Sequence, residues 1–528
     1  MKHRHKLLAT AVLLAASAGA QAQIYKAVLT GANEVPPVTT AGTGVGVVSL
    51  NTTTHELRLK TTFTGLNGGT TASHIHCCTA PGANAGVATM LPSFTGFPAG
   101  VTAGSFDGTF NTSQASTWNA AFVTANGGTP AGAESRLSSA LDAGQAYLNI
   151  HTSTSPGGEV RANLQRFSFV PASSSGRTTG LAYALDQMGA GTGAANERLM
   201  SLAMLDNAQL GAALVQLLPM PTNAVVSTLT NGLYADYDQI SNRLGGLRGE
   251  SEVAHGLWVR YADRQNELEL GLRGTEVESD GQDLSLGLDH SLDSGLLLGI
   301  AVSLSEDEFE LDRAMLGTSG ELEGWRGTFY AEQELGVAFV EGMVTIAHSD
   351  VDHERMLGGL NNRAMAEDDT DQVGARIAIG TDIVIRNGDT GFRATPQLRV
   401  DYSNVEFGGY VETSASGLGL TVDSQDYDSL RVGLGAQLDW TMASGFNPFV
   451  RAFWNTEVEN GDTMTRARFG NGLWFESIDA GPDSAGYTAG LGVNFVQSEG
   501  FGASLSYDVM DNDEFQSDVF QARVLWRY

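Results

Sequence analysis

Lysine all but disappears from this chain: the last one is Lys60, and every later cation is arginine. Cysteine is scarcer still, confined to the adjacent pair Cys77 and Cys78. No distant cysteines exist to staple a small core, so a disulfide framework is excluded. Positive charge is short overall, with 30 basic against 60 acidic residues and a net charge of −30. A nucleic-acid partner needs a basic patch, which this balance does not supply. After the first residues no apolar run reaches the ~18 residues of a membrane helix. Hydrolase and nucleotide signatures are missing as well: there is no G-x-S-x-G, no H-E-x-x-H and no glycine-rich phosphate loop. No enzyme is expected on these grounds.

What is present is a β-rich, glycine-rich composition. The chain has 528 residues, 65 of them glycine, with 42% hydrophobic and only 17% charged residues. That is enough apolar material for a core, which argues against disorder. The length suits two or more domains. The start, MKHRHKLLATAVLLAASAGAQAQ, joins a basic segment (Lys2, Arg4, Lys6) to an apolar run, Leu7–Ala16, and a small-residue cleavage site, Ala20-Gln21-Ala22. Residues 1–22 therefore read as a secretory signal peptide.

Charge divides the remainder. Between Ile24 and Phe167, six acidic residues balance six basic ones. With the leader positive and this segment neutral, the whole deficit falls on residues 168–528, which marks a boundary between domains of different kind. Residues 24–167 hold short β-type runs, Tyr25–Leu29, Gly44–Leu50, Glu56–Phe63, Ser105–Phe110 and Ala146–His151, split by turn signals such as Pro36-Pro37 and Pro156-Gly157-Gly158. Residues 168–250 read as a linker: the Ser/Gly/Thr-rich PASSSGRTTG (171–180), then two or three helices. The helices are marked by Leu181, Ala184, Leu185 and Met188, by Leu199, Leu202, Ala203 and Leu205, and by Ala208–Leu218.

From residue 251 the period changes to two. Leu430, Val432, Leu434, Ala436, Leu438 and Trp440 share one face, while Arg431, Gly433, Gly435, Gln437 and Asp439 share the other. A soluble sheet with one wet face also alternates. Three features favour a membrane wall: aromatics near strand ends, a small or charged opposite face, and strands of ~9–11 residues or more. Twelve strands are expected near 253–263, 280–291, 295–306, 322–333, 336–349, 372–386, 391–404, 428–441, 446–456, 485–497, 501–511 and 517–528. Twelve is even, and an open edge in lipid would leave backbone groups unpaired, so the sheet must close. Short connections near 293–294 and 443–445 are expected on one side and long acidic ones, such as 350–371, on the other.

The opening GLWVRYADRQ and closing FQARVLWRY make residues 251–528 resemble the translocator barrel of autotransporters, the type V secretion proteins. That resemblance implies a linker threading the pore and an assembly signal at the end of the chain, here Phe520, Trp526 and Tyr528. Residues 24–167 resemble the CHRD domain, first named in chordin, through GANEVPPV (31–38), ASHIH (72–76) and AYLNIHTSTSPGGEVRANL (146–164). The resemblance implies an immunoglobulin-like β-sandwich or barrel with a limited likeness to copper/zinc superoxide dismutases. The fold class is thus all-β: a CHRD sandwich, a helical linker and a 12-stranded transmembrane antiparallel barrel.

In a strand, His74 and His76 point to one face. His151 lies in the other signature segment, and three imidazoles, with or without a thiolate from Cys77, would suit zinc or copper. The bland alternative is that these histidines, with Glu159 and Arg161, only tie the two segments together. Cys77 and Cys78 are a disulfide, metal-ligand or free-thiol pair. The leading expectation is an outer-membrane protein whose barrel anchors and exports the CHRD domain as a surface binding or adhesion module. Its partners would be outer-membrane lipid and lipopolysaccharide, the barrel-assembly machinery and an unidentified surface ligand. A pore or structural barrel with a periplasmic CHRD domain is the alternative. A metal-dependent oxidoreductase at His74, His76 and His151 is a third class.

Overall fold

A computed structural model describes residues 23–173, 176–189, 193–248, 255–270, 275–292, 294–358, 362–387, 390–459, 463–479, 485–497 and 500–527. The expected signal peptide, and Tyr528, lie outside the described residues. These residues fall into two compact units. One runs up to Phe169 and adds Met188–Asp206; the other comprises Val170–Gln187 and the chain from Asn207 on.

The first unit contains β1 (Gln23–Thr30), β2 (Thr43–Asn51), β3 (Glu56–Thr64), β4 (Thr70–Cys77), β5 (Gly104–Asn111), β6 (Ala146–Thr152), β7 (Val160–Asn163) and β8 (Gln165–Arg166). The antiparallel path runs β4-β6-β7-β1-β2-β3-β5, with β8 beside β1. Every strand expected from the sequence is present. Two helices occupy a stretch where none was expected, α1 (Ala120–Ala125) and α2 (Pro130–Asp142). The start of α2 is locally encoded: Thr129 caps it by accepting from the Gly132 N–H, and Pro130 brings a helical φ with no N–H to satisfy. Leu137, Ala140 and Leu141 of α2 join Leu29, Leu59, Ile75, Leu148 and Ile150 in one core.

Four helices follow rather than two or three: α3 (Gly176–Met188), α4 (Ala194–Met204), α5 (Asn207–Gln216) and α6 (Thr222–Gly245). The segment read as PASSSGRTTG linker is helical from Gly176 on. Nor is α4 a free connector. It lies on the first unit's sheet, where Asn196 donates to Ser49, Lys60 donates to Ser201, and Lys26 donates to the Leu205 carbonyl.

The second unit is a closed barrel. Its wall strands are β9 (His255–Leu270), β10 (Thr275–Ser291), β11 (Leu296–Leu311), β12 (Thr318–Leu335), β13 (Ala338–Leu357) and β14 (Asn362–Thr381). They continue, after the short β15 (Ile383–Asn387), with β16 (Thr390–Phe407). Beyond the short β17 (Thr413–Ser414) and β18 (Leu420–Val422) come β19 (Gln425–Thr441) and β20 (Phe446–Glu459). Then, past β21 (Thr463–Phe469) and β22 (Phe475–Asp479), come β23 (Ala485–Gln497), β24 (Phe501–Asn512) and β25 (Phe515–Arg527). The twelve wall strands pair in sequence order, β14 pairs with β16, and β25 pairs with β9 to close the ring.

The wall strands are longer than expected, and strand occupies most of 350–371, where a long acidic connection is expected from the sequence. Strand β13 runs on to Leu357 and β14 begins at Asn362. The pleat continues there, but its outward positions change from Val344 and Ile346 to Asp350 and Asp352. With charges on the outer face, the apolar half of the alternation vanishes from the sequence while the hydrogen-bond ladder persists. The same change separates Val302 and Leu304 from Glu306, Glu308 and Glu310 on β11. It marks where the strands leave an apolar surround for water.

Outward side chains in the middle of the wall are apolar and exposed, among them Leu286, Ile300, Phe329, Val344, Ile377 and Leu491. Aromatic pairs ring one end: Phe392–Trp440, Phe446–Phe495 and Phe501–Trp526. Toward the other end, outward Tyr402, Tyr487 and Tyr507 donate to Asp428, Asp511 and Asp518. This is the apolar band between aromatic girdles that a lipid-facing barrel requires.

The inward face is buried and charged, because α6 fills the lumen. Asp236 and Asp238 lie ~200° apart around that helix. Asp236 takes Arg260 and Arg326 on one side. Asp238 takes Arg376 and Arg399 on the other, each at 2.6 Å. Nearer the C-terminus, Arg243 forms a two-pronged pair with Asp289 at 3.0–3.1 Å. Leu233, Tyr234, Tyr237, Ile240 and Leu244 form an apolar cluster with Trp258, Tyr330 and Met343. Two glycines permit the fit. A Cβ on Gly232 would stand 2.3 Å from Arg264, and one on the wall's Gly374 would stand 2.3 Å from Leu233.

Removing one member of such a buried pair strands its partner's charge. The Asp238→Ala variant is therefore expected to lose ~3–5 kcal/mol of barrel stability. The check is the temperature at which the detergent-solubilised barrel shifts from folded to unfolded mobility; an unchanged midpoint would contradict the role given to Asp238.

Candidate functional site

Three of the expected site residues come together in the first unit. His74 and His76 on β4, and Tyr147, Asn149 and His151 on the neighbouring β6, alternate onto one face, away from core residues Ile75, Leu148 and Ile150. Pairing of β4 with β6 sets His74 opposite Asn149 and His76 opposite Tyr147. The ring centroids of His74, His76 and His151 lie 5.2–5.8 Å from one another. One nitrogen from each ring falls within 4.8 Å of the other two.

The loop between β4 and β5 orients these rings. It returns alongside β4, with the Ala88 N–H donating to the Ile75 carbonyl and the Cys77 N–H to the Gly86 carbonyl. Its backbone then meets the imidazoles. The Pro92 carbonyl lies 2.7 Å from His74 Nε2, and the Ala85 carbonyl 2.9 Å from His76 Nδ1. The turn after β6 does the same for the third ring, with the Pro156 carbonyl 2.9 Å from His151 Nδ1. A carbonyl only accepts, so each of these nitrogens carries the proton. The other three, His74 Nδ1, His76 Nε2 and His151 Nε2, are left as lone pairs. All three are buried without a hydrogen-bond partner.

Neutrality follows from the surroundings. Burial lowers the pKa of all three histidines, that of His76 to about 4; His151 lowers His74 and His76 further, and His74 lowers His76. His76 stacks on Tyr147 at 4.8 Å, and the Arg161 guanidinium covers the Tyr147 ring at 4.4 Å. Glu34, which accepts from Asn149, is pushed up to about 7, chiefly by burial.

The other expected members sit elsewhere. Cys77 follows His76 in the strand and so turns to the opposite face, into the core. It is joined to Cys78 as a disulfide, so no thiolate faces the histidines. Glu159 fixes turns by accepting from Thr40, Thr152 and the Asn67 N–H. Arg161 holds the Asn33 carbonyl and Asn84. His55 pairs with Glu134 at 3.0 Å, apart from the cluster. Outward-facing Phe520 and Trp526 are exposed on β25. The three carbonyls that set the tautomers left no trace in the sequence, since any residue supplies a carbonyl. The lumen-filling Asp236 and Asp238 were also missed. Their signal was that they are the two acids of a helix, Thr222–Gly245, that has no other.

Residues 257–508 match the family model of the autotransporter beta-domain, and residues 25–164 match that of the CHRD domain. Comparison with curated proteins returns no match. Solved structures similar to this chain include the translocator domain of the autotransporter NalP from Neisseria meningitidis. It shows 13% identity, a TM-score of 0.45 and coverage of 57% of this chain and 98% of that one. The transport unit of AIDA-I from Escherichia coli shows 12% identity and a TM-score of 0.41, covering 53% and 92%. The beta domain of the Bordetella autotransporter BrkA shows 19% and 0.40, covering 52% and 100%.

With His76 neutral in the fold, the folded chain binds fewer protons than the unfolded one between about pH 6.5 and 4. This contribution to stability is therefore lost as pH falls through that window. Glu34, raised to about 7, acts in the opposite sense as pH rises from 4.5. Histidine ring resonances followed by NMR should show His76 neutral down to about pH 4; a midpoint near 6.5 would contradict the burial described.

Proposed function

The chain is an outer-membrane, autotransporter-like protein carrying a CHRD domain ahead of an autotransporter beta-domain, and from that premise we propose that the barrel exports the CHRD domain and holds it at the cell surface as a binding module. The observation that carries this reading is the direction of α6 in the lumen. Connections 292–295, 336–337 and 442–445 are short and gather at one end of the barrel, where β9 begins and β25 ends. Connections 408–424 and 460–484 are long and gather at the other. In outer-membrane barrels the short turns are periplasmic and the long loops external.

The C-terminal end of α6 lies at the short-turn end. Arg393 donates to the Gly245 carbonyl, and Arg248 beyond it pairs with Glu332 and Glu341. Its N-terminal end lies among the long connections, where Thr222 meets Thr465 on β21 and accepts from Gln425. Just before it, the Gln216 carbonyl accepts from Arg355 near the β13 tip. The chain ahead of α6 thus leaves the lumen on the external side, the side on which an exported domain would stand. The filled lumen also favours an anchor over an open pore.

Protease added to intact cells is expected to remove residues 24–167 while the barrel survives. Protection of that segment until the outer membrane is permeabilised would instead support a periplasmic CHRD domain.

A further inference from the structure

We propose that His74 Nδ1, His76 Nε2 and His151 Nε2 form a binding site for one borderline divalent transition ion, Zn2+ or Cu2+. The donor set is the first argument. Three neutral imidazole lone pairs suit Zn2+ and Cu2+, whereas Mg2+ and Ca2+ require oxygen ligands. Among the described residues no carboxylate and no thiolate shares the cluster, since Cys77 faces the core as a disulfide.

The second argument is the hydrogen-bond account. A buried ring nitrogen without a partner is costly, and such groups are uncommon in native folds. Here three of them converge. A fold that needed these histidines only as struts would be expected to turn at least one toward a donor. Instead each ring gives its N–H to a backbone carbonyl at 2.7–2.9 Å. That is the outer-shell arrangement that fixes tautomer and ring angle for metal ligation.

The third argument is distance. At the 4.8 Å upper limit of separation, an ion at the centre would lie about 2.8 Å from each nitrogen, ~0.7 Å beyond a zinc–imidazole bond. Modest side-chain rotations close that gap. His74 and His76 are 5% and 8% exposed, while His151 is half-buried. An exposed acidic group, Glu306, Glu321 and Glu323 on the barrel, is the competing location for added metal. Its oxygen donors would give a different spectroscopic signature.

The test uses the full-length protein in detergent, stripped with a chelator and titrated with Cu2+ or Zn2+ alone. One equivalent is expected to be held. The Cu2+ form should show electron paramagnetic resonance splitting from imidazole nitrogens, a signature that needs no variant. His151→Gln, at the most open position, is expected to weaken binding by more than the ~10–100-fold typical of losing an outer-shell partner; Glu306→Gln is expected to change nothing. Zn2+ should also raise the unfolding temperature of the wild type, because it binds only the folded site. Failure to retain either ion, oxygen-only coordination, or equal affinity in a folded His151→Gln protein would overturn the assignment. Because none of these readings depends on which side of the membrane the domain occupies, the export proposal stands or falls separately.

Discussion

Arginine 376 and its neighbours in the barrel lumen hold the second unit together, through their grip on a single helix. Strands in lipid must pair all their backbone groups, so the sheet closes into a ring. A ring of twelve strands has an interior too wide for short wall side chains to fill, and α6 fills it. Asp236 and Asp238, turned to opposite walls, reach arginines on β9, β12, β14 and β16. Such ions are expensive to bury and stay only where each has a partner. The helix and the wall therefore specify one another: either one alone leaves a set of buried charges unanswered.

This constraint also accounts for the use of arginine without lysine after residue 60. A guanidinium offers a rigid fork that can serve two carboxylates at once, as Arg326 does for Asp236 and Asp283 and Arg376 does for Asp238 and Asp401. The excess of acid lies largely outside such pairs. On β11, β13 and β14 it coats the outward face above the apolar band, at Glu308, Asp352 and Glu367 for instance.

Much of this was legible in the sequence where a single periodicity reports a single environment. All twelve wall strands were found because lipid on one side and a polar lumen on the other impose a strict alternation. The signal failed over 350–371 because the outward face there is charged and the inward face mixes Val351, Ala364 and Ala366 with His353 and Arg355, so a continuing ladder reads as a loop. Over α6 the helical spacing of Leu229, Leu233, Tyr237, Ile240 and Leu244 is present but diluted, because polar residues occupy the other faces, where the helix meets the arginines of the wall. In the first unit, His74, His76 and His151 were named from strand parity and motif position, and β4–β6 pairing brings them together. What parity could not give was the role of Ala85, Pro92 and Pro156, which act through backbone oxygens; parity itself turns Cys77, one residue after His76, away from the histidine face.

The fold of the second unit and the export reading both depend on α6 occupying the lumen in this register. In a Cys77→Ser/Cys78→Ser background, cysteines at Thr230 and Ser403, whose hydroxyls lie 3.4 Å apart, test it directly. In protein assembled in the outer membrane, mild oxidation should join the two thiols and shift the electrophoretic mobility of nearly all molecules. Two thiols that stay unjoined and freely labelled would show that the helix does not lie against β16.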